Sequence, residues 1–110
     1  MSEGPLHGYK VLEVEGIGAA PFGSMLLADF GADVLRIERL APNVASVGGT
    51  DPGPVTGRGR SGTIRLDLKT EADLQILLRL SAHADVLVES FRPGVAERLG
   101  FGPDVALAAN

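Results

Sequence analysis

The sequence predicts an open α/β sheet of parallel strands. Three observations carry this: short β-branched runs alternate with apolar residues at helical spacing, a glycine turn joins the first run to the first helix, and the same alternation resumes after a long period-free stretch. At 110 residues and 45% apolar content, the whole chain, 1–110, reads as one domain with one core.

Tyr9 to Glu15 is the first predicted strand, with Val11, Leu12 and Val14 giving it a buried character, and Gly16-Ile17-Gly18 ends it. From Ala19 to Phe30, Phe22, Met25, Leu26 and Phe30 recur at helical spacing, and Gly31 stands where a left-handed C-terminal cap belongs. Pro21 is compatible with that helix only in its first turn. Asp33 to Glu38 is a second strand, which completes one βαβ unit with parallel pairing. Leu40 to Gly62 is rich in Gly, Pro, Ser and Thr without a period, so a functional or mobile loop is expected there. Thr63 to Leu68 is a third strand, and Thr70-x-x-Asp73 resembles a capping box opening a helix that carries Leu74, Leu77 and Leu78 and ends near His83. Asp85 to Glu89 is a fourth strand, Phe91 to Gly94 a turn, Val95 to Leu99 a helical turn, and Pro103 to Asn110 a further helix. Such βαβ units make a Rossmann-like sheet, whose ligands are expected outside the carboxyl ends of the strands.

A net charge of −4 and a pI near 5.0 argue against nucleic acid or an anionic membrane as partner, since either requires a basic face. Cysteine is absent, which excludes disulfides, thiolate metal sites and a cysteine nucleophile. The N-terminus has neither the basic start nor the apolar run of a signal peptide, and no stretch approaches the ~18 apolar residues of a membrane span. A cytoplasmic protein is the expectation.

Gly16-x-Gly18-x-x-Pro21 follows a strand and opens a helix as a dinucleotide site would, and acidic Glu38 lies about twenty residues on. Pro21 replaces the third glycine, however, and its bulk obstructs the close helix-to-strand approach of a pyrophosphate site. The simpler reading is a tight turn whose helix N-terminus attracts anions. Arg39, Arg58, Arg60, Lys69, Arg92 and Arg98 form a second pattern, several of them at strand ends where phosphates are bound. Arginine suits phosphate because its planar fork donates two parallel hydrogen bonds and stays charged. Each cation taken singly is better explained as a surface group or a partner of Asp67, Glu89 or Glu97. Candidates for proton transfer are few: His7 precedes the first strand, His83 ends a helix, and Asp67 and Glu89 are better read as helix caps or arginine partners. No paired-carboxylate or metal-ligand spacing is present.

Gly4-Pro5-Leu6-x-Gly8-Tyr9-Lys10-Val11-Leu12-Glu13 resembles the start of the α-methylacyl-CoA racemase and family III CoA-transferase (CaiB/BaiF) group. Further stretches agree in order and spacing: Gly16-Ile17-Gly18 with Pro21, Met25 to Val34, Arg36 to Arg39, Leu66 to Lys69, Ala84 to Glu89, and Phe91 to Val95 with Glu97 to Gly100. The resemblance spans nearly the whole chain outside residues 40–60, where Gly57 to Gly62 replaces the family's Asn-Arg element. It implies an incomplete, N-terminal part of the family's large Rossmann-like domain, and a coenzyme A thioester as substrate with no prosthetic group. Arg39, Leu66, Asp67, Leu68, Lys69, Ser90, Phe91, Arg92 and Arg98 would then contact the CoA nucleotide or its phosphates.

The resemblance also implies interlocked subunits, so a homodimer or a complementing chain is expected as partner. The group's catalytic residues, a His with an acidic pair in racemases and an Asp in transferases, would fall beyond position 110. The Gly16-Ile17-Gly18 turn is more similar to the racemase branch, which points to epimerisation of 2-methylacyl-CoA; a family III CoA-transferase and a non-catalytic CoA-binding module are the alternatives.

Overall fold

The structure, a computed structural model, describes residues 4–16, 19–39 and 58–109. Among these residues four strands and four helices are seen: β1 (Lys10–Val14), α1 (Ala19–Asp29), β2 (Asp33–Arg39), β3 (Arg60–Leu66), α2 (Glu71–Ala82), β4 (Val86–Val88), α3 (Val95–Leu99) and α4 (Pro103–Ala108). All pairings are parallel, and the order across the sheet is β3-β2-β1-β4.

The expected elements are present, with shifts at their ends. The third strand begins at Arg60 rather than Thr63, because Arg60 and Gly62 pair with Val34 and Leu35 across a bulge. The expected loop 40–62 therefore ends by Gly59; its residues 40–57 lie outside the described residues, as does the Ile17-Gly18 turn. Gly31 adopts the expected left-handed conformation at φ 105°, and the amides of Gly31 and Ala32 donate to the carbonyls of Ala28 and Leu27, closing α1 in a Schellman motif.

β1 is buried on both faces, as a central parallel strand must be. Leu12 and Val14 join Ile37, Leu66, Leu68, Leu77, Ala96 and Phe101 in the main core under α2 and α3. On the opposite face Val11 packs with Val34 and Ala32 against Leu27 and Ala28 of α1. Full burial of side chains such as Leu12, Leu77 and Phe101 contributes about 1.5–3 kcal/mol each, and the larger cluster dominates.

α1 departs from the sequence reading in one respect. Of its spaced apolar residues only Met25 turns inward, with Ala20, Pro21 and Ser24. Phe22, Leu26 and Phe30 are 50%, 38% and 51% exposed. The small side chains let α1 lie close to the sheet, which leaves the large ones on its outer face. Pro21 is in the first turn, as its chemistry demands.

The capping box also differs in detail. Thr70 Oγ1 accepts the Asp73 amide at 3.3 Å, but the Asp73 carboxylate takes the amide of Asp67 at 2.7 Å instead of returning to Thr70. Thr70 donates to the Asp67 carbonyl, so the β3–α2 connection is bonded at both ends.

Candidate functional site

From β1 the chain steps outward to β2 and β3, then crosses to place β4 on the other side of β1. That reversal puts a topological switch point between β1 and β4, and the crevice beyond their carboxyl ends is where such sheets bind ligands. Glu15 and Gly16 leave β1 there, and Glu89, Ser90 and Phe91 leave β4. The two strand ends are in close contact: a Cβ on Gly16 would collide with Ser90 Oγ. Neighbouring β2 is tied in as well, because the Glu15 amide donates to the Ile37 carbonyl at 2.8 Å and the Arg39 amide to Glu15 Oε1 at 2.7 Å.

Arg39 and Phe91 meet at this end. The guanidinium carbon lies 4.7 Å from the ring centroid, a cation–π contact. Phe91 in turn meets the buried Phe101 ring edge-on, with centroids 6.1 Å apart and planes at 70°. Its amide donates to Glu89 Oε2 at 3.3 Å. The outcome is a supported aromatic platform with a cation on it, built from residues 52 positions apart in sequence only because β2 and β4 flank β1.

At the end of β3, Leu66 and Leu68 are turned into the core, while Lys69 is exposed. Asp67 is engaged locally, Oδ1 accepting the Lys69 amide at 3.1 Å. Asp67 and Glu89 thus both accept amides from the turns that follow their strands, whereas the helices that come after are capped by Thr70 and Gly94.

The cations divide into two sets. Arg36, Arg58, Arg60 and Arg65 are each committed to a carboxylate: Arg36 to Glu13 and Glu38, Arg58 to Asp29, Arg60 to Glu13 and Arg65 to Glu38. Lys69, Arg92 and Arg98 are exposed and, among the described residues, have no carboxylate within ion-pair distance, nor does the Arg39 side chain. Lys69 and Arg92 follow strand ends, Arg39 is the last residue of β2, and Arg98 lies on α3. The expectation that Arg58 and Arg60 keep a phosphate-binding charge is therefore corrected: β3 begins at Arg60, and both guanidinia are consumed by Asp29 and Glu13. The hydrogen bond from Arg58 holds the Asp29 carboxyl below its ordinary value, against an opposing effect of desolvation and with the Arg58 charge assisting. Glu38, the acidic residue a dinucleotide site would use, is likewise held by Arg65 and Arg36.

Sequence reasoning missed the buried charges of the sheet itself. Glu13 is fully buried and stands opposite Arg36 in the β1–β2 register, with the Arg60 side chain, 5% exposed, completing the group. A charged residue within each strand, opposite in sign and pointing to the same face, was the available signal. His7 lines a hollow of about 600 Å³ with Lys10, Asp29, Asp33 and Ser61 at the amino-terminal end of the strands, away from the crevice. His83 is the exposed C-cap of α2.

Residues 6–110 match the profile of CoA-transferase family III. The chain belongs to that family. Mouse α-methylacyl-CoA racemase is 41% identical over 105 residues, which cover 96% of this chain and 25% of that protein. The succinyl-CoA–L-malate CoA-transferase β subunit of Chloroflexus aurantiacus is 36% identical, over 96% of this chain and 28% of its own length. Among solved structures, Rv3272 from Mycobacterium tuberculosis superimposes with a TM-score of 0.83 at 34% identity, covering all of this chain and 32% of that one. The chain thus spans about a quarter of the curated relatives' length, and its four-stranded parallel sheet is the fold of the corresponding part of these proteins. Both racemases and CoA-transferases are among the relatives. No described helix is long and apolar enough to cross a membrane.

Proposed function

We propose that this chain provides the coenzyme A crevice of an acyl-CoA enzyme acting on CoA thioesters, with CoA lying across the carboxyl ends of β1 and β4. The observation that carries this is the Arg39–Phe91 stack at the carboxyl ends of β2 and β4, together with the lack of any described carboxylate within ion-pair distance of Arg39, Lys69, Arg92 and Arg98. An adenine ring and phosphates need an aromatic face beside guanidinium and ammonium donors, and Arg39, Phe91, Lys69, Arg92 and Arg98 supply both. Ser90 and Leu66 to Asp67 stand at the carboxyl ends of β4 and β3, on the same end of the sheet.

Of the two chemistries among the relatives, we favour the racemase, in which the α-proton of a 2-methylacyl thioester is removed and returned. Support comes from the Gly16-Ile17-Gly18 turn and from the 41% identity to mouse α-methylacyl-CoA racemase. In this reading Arg39, Phe91, Lys69, Arg92 and Arg98 bind and orient the coenzyme, and the proton is moved by groups outside this set. The alternative, transfer of CoA to a carboxylate, is favoured by the similarity to the Chloroflexus subunit. The outward stripe Phe22, Leu26 and Phe30, together with β3 and β4 as the edge strands among the described residues, leads us to propose a homodimer or a complementing chain as partner.

Calorimetric titration of the purified chain with CoA tests the binding reading, with NADH as comparison. Saturable CoA binding without NADH binding is expected; a folded chain that ignores CoA, or prefers NADH, refutes it. Incubating the complete enzyme assembly with 2-methylacyl-CoA in D2O separates the chemistries. Deuterium at the α-carbon supports the racemase, and CoA transfer to added carboxylate without exchange supports the transferase.

A further inference from the structure

Arg60 is far better anchored than a surface arginine. Its Nε donates to Glu13 Oε1 at 2.7 Å, its Nη2 to Glu13 Oε2 at 3.2 Å and to the Pro21 carbonyl at 2.9 Å, and its Nη1 to the Arg58 carbonyl at 2.8 Å. Glu13 is the next-to-last residue of β1, and Pro21 is in the first turn of α1. One guanidinium therefore grips the chain on both sides of the β1–α1 turn, at the strand before it and the helix after it. Within that span lies Gly16, which abuts Ser90 at the crevice.

We propose that Arg60 is a positioning residue for the coenzyme site: with Glu13 and the Pro21 carbonyl it sets the spacing of the β1–α1 turn, and through Gly16 and Ser90 the width of the crevice. This rests on the CoA reading above, although Arg60 itself is buried and faces α1, not the ligand. A lysine retains the charge but cannot span Glu13 and Pro21 at once, since that needs the rigid fork. The buried ion pair is also a poor source of net stability, because desolvation offsets most of its Coulombic attraction. Removing both charges together, so that neither is stranded by loss of the other while Arg36 keeps Glu38, thus lowers the folding cost against which positioning is read.

The experiment compares wild type, Arg60→Lys and the double variant Glu13→Gln/Arg60→Met, in which Arg36 keeps its ion pair with Glu38. Three quantities are read: melting temperature, hydrogen–deuterium exchange of peptides spanning Val14–Met25, and CoA affinity. The expected result is a double variant that melts close to wild type, with faster exchange in Val14–Met25, unchanged exchange in α2, and CoA binding weakened about tenfold, the equivalent of one lost hydrogen bond to a charged group. Arg60→Lys should fall between. Wild-type exchange in a folded double variant overturns the clamp, and so does faster exchange with undiminished CoA affinity. If wild type itself binds no CoA, the coenzyme reading fails, while the exchange data alone still decide whether Arg60 holds the turn.

Discussion

Replacing Arg39 by alanine tests the crevice most directly, because the structure separates its effects on binding and on stability. The guanidinium's one described contact is the face of Phe91, and its backbone amide bond to Glu15 survives the substitution. The stack exists before any ligand arrives, so its loss is felt in folding: about 0.5–1 kcal/mol, or a melting temperature lower by roughly 2–6 °C. The charge is different, since no described carboxylate compensates it in the free chain. A charge-assisted bond to a CoA phosphate is gained only on binding, and losing it costs about 1.5–3 kcal/mol, a rise in Kd of roughly 10- to 150-fold. Arg39→Lys keeps the charge but neither the fork nor the stack, and is expected between the two. Calorimetric titration with CoA and thermal melting of the same samples give both numbers. A Kd within about twofold of wild type for a folded Arg39→Ala chain would refute the assignment, and a large stability loss would recast Arg39 as a structural group.

Three further outcomes are expected. Gly16→Ala places a methyl against Ser90 Oγ, so CoA affinity, read by calorimetric titration, should fall in a chain that stays folded; unchanged affinity would mean that this contact does not shape the site. Asp29 has its folded pKa lowered by Arg58, so the pair's stabilisation is present above the unfolded value and lost as pH falls through the folded one. The stability difference between wild type and Arg58→Ala should therefore be constant near neutrality and close below the ordinary aspartate value of 3.8, as denaturant unfolding at several pH values would show. Phe22→Ser/Leu26→Ser/Phe30→Ser should reduce self-association without unfolding the chain, since all three side chains are already exposed; light scattering that finds wild type monomeric over a wide concentration range would remove the basis for a partner on α1.

The order of strands and helices was legible in the sequence because parallel strands buried on both faces read as apolar runs, and because Gly31 and Thr70 mark transitions through their own backbone or capping chemistry. The crevice residues were proposed from sequence too, by position after strand ends and by resemblance to a family the comparisons then established. What the sequence could not decide is which arginine is available for a ligand. Arg39, Arg58 and Arg60 look alike in one dimension, and their partners lie 52, 29 and 47 positions away. Nor could spacing alone tell which face of α1 is buried, because Phe22, Leu26 and Phe30 follow the same helical period as a core stripe would. Local periodicity and turn chemistry act between neighbours in sequence, so one chain is enough to read them. Charge pairing and burial depend on which strands the crossover brings side by side, and only the order β3-β2-β1-β4 put Arg39 beside Phe91 and Arg60 upon Glu13.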